Sequence, residues 1–204
     1  AFEGRIHPLQ LALDVQGAMS DGDWLVIDGG NTHFWSEIAV NIAGFQGKKL
    51  GGILHPGTFS LLGVGVSFAV SAKNVDPNRN VVLISGDGAF LSGGLSIEAA
   101  FQENRPIVVV IDNNGGLDCI SQQQERLFAS GTHYATDFRD IPFHAMFEGL
   151  GGHGELVTTR EDIIPAVQRA MASGKTACVN VKVKGVISPI VLATTSKRDK
   201  ASIE

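Results

Sequence analysis

Two short segments carry the residues best suited to do chemistry. In SGDGAF, residues 85–90, the acid Asp87 stands between glycines directly after an apolar run at 81–84. In IDNNGG, residues 111–116, a second apolar run at 107–111 ends in Asn114 and a glycine pair. A carboxylate and an amide carbonyl are hard oxygen donors. With backbone carbonyls and phosphate oxygens they suit Mg2+, which keeps substrate phosphates as ligands instead of an all-protein cage. Either motif alone is an ordinary turn sequence. Two of them, each closing an apolar strand, are more specific. Their simplest joint purpose is a diphosphate clamped through a divalent metal. A third strand end, IDGGNT at 27–32, adds glycines that let backbone approach a ligand, and a helix start whose free amides suit phosphate. No Walker-type glycine loop occurs, and no GxGxxG follows a strand, so nucleotide hydrolysis and dinucleotide binding are not indicated.

The elements that must position these groups alternate along the chain. Short apolar strands read at 24–27, 81–84, 107–111, 154–157 and 177–183, with a further one in the turn-rich segment before His55. Between them lie helical patterns. One covers 7–20, and one opens on Asn31 and Thr32, both good capping types. The run 61–74 is small and apolar and reads as a helix buried on most sides; 92–103 is another. Short and amphipathic helices follow at 142–149 and from a Thr158/Thr159 cap onward. Residues 115–140 read as a loop with helical pieces. This order predicts an α/β fold, a doubly wound, mainly parallel sheet with helices on both faces. Ligands of such sheets bind beyond the carboxyl ends of the strands. Residues 1–6 read as a linker, 1–185 as one domain and 186–204 as a polar C-terminal tail.

Bulk properties narrow the class. With 204 residues, 44% hydrophobic and 18% charged, the chain is globular and can bury a core. A net charge of −5 argues against a nucleic-acid partner. No apolar stretch of transmembrane length and no signal peptide are seen, so no membrane role is expected. Cys119 and Cys178 form neither a disulfide framework nor a metal cluster, which fits a reducing, cytoplasmic setting. The first residue is Ala1, consistent with processing or with a longer polypeptide. Of the histidines, His33 and His55 fall at strand ends and are candidates for proton transfer, while His7, His133, His144 and His153 are expected to be structural.

GDGAF followed by NNGG at this spacing resembles the thiamine diphosphate motif. The resemblance covers nearly the whole chain. It is to the C-terminal, diphosphate-binding domain of acetolactate synthase-like and 2-hydroxyacyl-CoA lyase-like enzymes. It implies that Asp87, the Asn114 side chain and the Gly116 carbonyl bind Mg2+. It places Gly86, Gly88, Ala89, Phe90 and Leu117 with the clamp, and Asn31 and Thr32 on the phosphates. HPGTFSLLGVGVSFAVSA, residues 55–72, resembles the segment holding the aminopyrimidine, with Thr58, Leu61 and above all Leu62, the bulky group under the bent cofactor. The activity implied is carbon–carbon bond cleavage or formation, or decarboxylation, on 2-keto acids or 2-hydroxyacyl-CoA thioesters.

In this family a glutamate activates the aminopyrimidine, and it comes from another domain. No segment here resembles that domain. The chain is therefore expected to need a partner domain or subunit in a homo- or hetero-oligomer, and any FAD would sit on a further domain. Gln123 stands where true acetolactate synthases usually carry a tryptophan, which argues against dedicated branched-chain synthesis. For a CoA thioester, Lys197, Arg198 and Lys200 of the tail are candidates to cover it, although a plain solvated tail is the reading put first. The alternatives are an oxalyl-CoA decarboxylase-like enzyme and a non-catalytic cofactor-binding or assembly module.

Overall fold

The computed structural model of the chain describes residues 6–194. Six strands form one sheet: β1 (Trp24–Asp28), β2 (Gly52–Leu54), β3 (Val81–Gly86), β4 (Val108–Asn113), β5 (His153–Val157) and β6 (Ala177–Lys182). Their order is β2-β1-β3-β4-β6-β5, and every pairing is parallel. All six positions of β3 and of β4 are buried, and each strand opens with four apolar residues.

Side chains alternate between two cores, as the twofold strand repeat requires. Leu25, Ile27, Val82, Ile84, Val108 and Val110 meet α1 (Pro8–Ala18), α2 (Asn31–Phe45) and α8 (Ile163–Ala172). Val26, Val81, Leu83, Val109 and Ile111 face α3 (Gly65–Val75), α4 (Asp87–Gly93), α5 (Glu98–Gln102) and α7 (Phe143–Gly149). Each fully buried Val, Leu or Ile contributes about 1.5–3 kcal/mol. The sheet is thus fixed from both faces, and its strand ends are rigid mounts for the loops above them.

Several local expectations change. Gly30, not Asn31 or Thr32, is the N-cap of α2, and no side chain caps it. The helix predicted at 92–103 starts at Asp87, with no loop after β3. It runs through a 3-10 turn, Gly94–Ile97, into α5. An acid in a first helical turn is favourable, which suits a start at Asp87. Helix α3 buries one face only: Val66, Ala69 and Ala72 point inward, while Ser67, Ser71 and Asn74 are exposed. The 115–140 region contains a ten-residue helix, α6 (Asp118–Leu127). A 3-10 turn, Arg160–Asp162, precedes α8, with Thr159 as its N-cap. Ile6 is buried in the core and bridges Val183, so it is no linker residue.

Residues beyond 185 also meet the domain. Val186 O accepts from Trp35 Nε1 at 2.9 Å, Ser188 is fully buried, and α9 spans Pro189–Thr194. Lys197, Arg198 and Lys200 lie outside the described residues. Cys119 and Cys178 are free thiols. Among the described residues, no helix is long and apolar enough to cross a membrane.

Candidate functional site

The chain turns in opposite directions at β1 and β3. β1 leads outward to β2, while β3 leads the other way to β4. A crevice opens where neighbouring strands diverge like this. It is a cavity of about 310 Å³. Its walls are Gly29–Phe34 after β1, Gly86–Ala89 after β3, Asn114 and Gly116–Ile120 after β4, plus Ser60 and Leu62.

Asp87 is the centre of this arrangement. Register places Gly86 opposite Asp112, so the ends of β3 and β4 emerge side by side. Asp87 Oδ2 accepts from the N–H of Gly115 at 2.8 Å and of Gly116 at 3.1 Å. Its Oδ1 accepts from Gly88 N–H at 2.7 Å. Asn114 Oδ1 accepts from the same Gly116 N–H at 3.2 Å. The two side-chain oxygens thus converge on one backbone N–H at the turn. The turn needs its glycine: Gly115 has φ +86°, where a side chain would be strained.

Burial leaves these acids short of compensation. The Asp87 carboxyl is pushed up to about 6 by desolvation, against three backbone amides that pull it down. Asp118, at the start of α6, is pushed up to about 6 by desolvation and by the nearby Asp87. Asp112 is pushed up to about 7 by desolvation, with Asp87 and Asp118 adding to the effect. Its Oδ2 accepts from Thr32 Oγ1 at 2.8 Å, while its Oδ1 has no partner. Three crowded acids favour a compensating positive charge, and two of them, Asp87 and Asp118, line the cleft.

A pH dependence follows. Folded-state values above the ordinary carboxylate range mean that stability is full below about pH 4 and is lost as pH rises through about 6–7. Without divalent ions the melting temperature should therefore be lower at about pH 8 than at about pH 5, and saturating Mg2+ should narrow the gap. Melting curves with equal midpoints at the two pH values would contradict this.

A fourth acid positions the cleft wall. Asp28, at the end of β1, is buried and accepts from Gly63 N–H at 3.0 Å and Gly65 N–H at 2.7 Å. These bonds fix the turn that carries Leu62. The position after it must be glycine at 65, because a Cβ there would lie 2.7 Å from Asp28 Cβ. Burial raises the Asp28 carboxyl, and the amides of Gly65, Gly63 and Gly29 oppose it. Asp28→Ala strands both amides and should cost about 3 kcal/mol or more. A urea midpoint unchanged from the parent would remove Asp28 from this role.

The structure gathers most of the sequence-predicted residues. Asn31, Thr32, His33, Leu62, Gly86, Asp87, Gly88, Ala89, Asn114, Gly116 and Leu117 all line the cleft. Asn31 and Thr32, expected on the phosphates, have their side chains engaged within the protein. Asn31 donates to Gln122 Oε1 at 2.9 Å and accepts from Ser188 N–H at 3.0 Å, while Thr32 holds Asp112. Phe90 does not line the cleft; it packs edge-on against Phe143 in the core. Thr58 and Leu61 are exposed beside the cleft, and Gln123 turns back to Cys119 O at 3.0 Å. His55 opens onto a neighbouring groove. Phe34, Ser60, Asp118, Cys119 and Ile120 line the cleft without having been singled out in the sequence. Of these, Asp118 carried a signal, an acid two residues after the NNGG turn.

Comparison with known proteins agrees with this geometry. Residues 28–181 match the family model described as "Thiamine pyrophosphate enzyme, C-terminal TPP binding domain". The acetolactate synthase large subunit IlvG of Mycobacterium tuberculosis is 34% identical over 182 residues, which cover 86% of this chain and 31% of that protein. A 2-hydroxyacyl-CoA lyase 2 of Danio rerio is 27% identical over 186 residues, 88% of this chain and 28% of that protein. Among solved structures, the thiamine diphosphate-dependent 4-hydroxybenzoylformate decarboxylase of Rhodococcus jostii RHA1 superposes with a TM-score of 0.75 at 26% identity, over 92% of this chain and 34% of that one. The chain thus spans about a third of the length of such relatives. A crevice at the switch point, walled by an acid and an amide on adjacent strand ends, is what the matched segment builds, and the chain belongs to the thiamine pyrophosphate enzymes as their C-terminal TPP binding domain.

Proposed function

We propose that the chain supplies the diphosphate- and Mg2+-binding half of an enzyme that breaks or makes carbon–carbon bonds next to a carbonyl. The observation that carries this reading is the shared Gly116 N–H between Asp87 Oδ2 and Asn114 Oδ1, beside a cleft of about 310 Å³. The residues fit the group. One carboxylate and one amide oxygen suit Mg2+, and the remaining ligands then come from phosphate, the Gly116 carbonyl or water.

Bound there, thiamine diphosphate supplies an electron sink for the reacting carbonyl carbon. The chain's own residues hold and shield it. Asp87 and Asn114 would hold the metal, and three backbone amides fix Asp87 for that role. The N-terminus of α2 faces the cleft through Asn31 and Thr32 and favours anionic oxygens. Leu62, Leu117 and Ile120 give the cleft apolar walls that limit water and strengthen electrostatic contacts. No glutamate lines the cleft among the described residues; its acids are Asp87 and Asp118. That supports a need for a second domain or subunit to activate the cofactor.

The relatives frame the substrate as a 2-keto acid or a 2-hydroxyacyl-CoA. The complete protein should be given pyruvate and, separately, a 2-hydroxyacyl-CoA with Mg2+ and thiamine diphosphate. Acetolactate marks the first chemistry and formyl-CoA the second. Consumption of neither, nor of any aromatic or aliphatic 2-keto acid, would overturn the enzymatic reading in favour of a binding module.

A further inference from the structure

Beside the cleft, two elements bring together three side chains that the diphosphate clamp does not use. His33 and Glu37 lie one turn apart on α2, so they share a face, and His33 Nε2 is 3.0 Å from Glu37 Oε1. His55, on the segment after β2, sets its ring edge-on to His33 with centroids 5.0 Å apart. One ligand atom from each of the three falls within 4.8 Å of the others. Donors around a tetrahedral ion with bonds of about 2.0–2.1 Å sit about 3.4 Å apart. The observed set is slightly open, and the freest member is the one that must close it. His33 is buried, Glu37 half-buried and His55 exposed. The bond from Gly57 N–H to His55 Nδ1, at 3.2 Å, is exposed to solvent and is cheaply exchanged.

From this geometry we infer that His33, Glu37 and His55 form a second metal site, selective for a divalent transition ion such as Zn2+. Two imidazoles and one carboxylate are softer than the oxygen donors at Asp87 and Asn114, and they favour Zn2+ over Mg2+. Three protein ligands leave a fourth position open to water or an exogenous ligand. Access is from the groove lined by Ile27, Glu37, Val40, Asn41, Ile53 and His55, about 410 Å³ in volume. The site is independent of the thiamine reading, because it rests on none of the clamp residues. It does touch the same cleft, since His33 lines both.

The test is a competition titration of Zn2+ against a chromophoric chelator, on the complete protein in saturating Mg2+ so that the oxygen site is filled. Co2+ absorption in the visible range reports coordination geometry in parallel. The parent should take up one equivalent that Glu37→Gln and His55→Asn each weaken by at least about tenfold. Both positions are solvent-accessible, so circular dichroism should show the variants folded. His133 already pairs with Glu125 and Asp137, at 2.9 and 2.8 Å, so His133→Asn controls for adventitious binding and should leave the equivalent intact. Absence of a stoichiometric Zn2+ equivalent in the parent overturns the site. So does an equivalent that survives in both Glu37→Gln and His55→Asn, or one lost in His133→Asn instead. Failure of thiamine diphosphate binding, measured separately, would bear only on the clamp.

Discussion

Replacing Asp87 with alanine should abolish the Mg2+-dependent heat of thiamine diphosphate binding, raising the apparent Kd by at least about 100-fold. The carboxylate has two tasks. It brings charged oxygens to the joint between β3 and β4, where it lines the cleft and shares the Gly116 N–H with Asn114. It also accepts three backbone N–H bonds of 2.7–3.1 Å, from Gly88, Gly115 and Gly116. Hydrogen bonds to a charged group are worth about 1.5–3 kcal/mol each, so alanine also loosens the turn. A second variant separates the two tasks. Asn114 accepts only from Gly116 N–H, at 3.2 Å, so Asn114→Ala deletes a metal ligand at a much smaller structural cost. Its melting temperature should stay near the parent value while Mg2+-dependent affinity falls by at least about tenfold. Calorimetry with and without Mg2+, on parent and both variants, decides. Heats indistinguishable from the parent in Asp87→Ala would move the clamp elsewhere.

How much of this was legible in the sequence depends on how local each cause is. The end of β3 was readable because a buried parallel strand opens as an apolar run, and the run at 81–84 gives way at once to Ser85, Gly86 and Asp87. The end of β4 was readable at Asn114 for the same reason. Asp112 was harder, because it sits inside the strand and is buried only by what covers it. Phe90 belongs to the motif in sequence but to the core in space. With α4 starting at Asp87, the helical turn carries its ring down to Phe143 and Phe147. Asn31 and Thr32 have the composition of caps, yet their partners, Gln122, Ser188 and Asp112, lie far along the chain. Local propensity cannot foresee such partners. The same holds for His33 and His55: nothing in their spacing predicts that β2 lies beside α2 and sets the two rings edge-on.

The isolated 204-residue chain should turn over no substrate even when loaded with cofactor, and activity should return on adding the domain or subunit that carries the missing glutamate. The argument begins with the cleft walls. Among the described residues, Glu37 is held by His33 and Glu155 by Arg169, and no glutamate lines the cleft. Asp87 is committed to backbone amides, and Asp118 accepts from Gln122 Nε2 at 3.0 Å. Both side chains are thus tied to their own turn and helix. Apolar surface is also left uncovered. Phe59 is 84% exposed and Leu95 80%, and Leu61, Leu91 and the cleft-lining Leu62 are exposed as well. Exposed apolar side chains of this kind are what a docked domain covers. A positioned acid-base group is worth about 10²–10⁴-fold in rate, and closing the rim adds to it by excluding water. Complementation should therefore raise turnover by at least about 10³-fold, and a partner in which that glutamate is replaced by glutamine should bind equally well but restore little. Steady-state rates of the chain alone, with partner and with the glutamine variant make the comparison. Full turnover by the chain alone would place the activating acid within these residues.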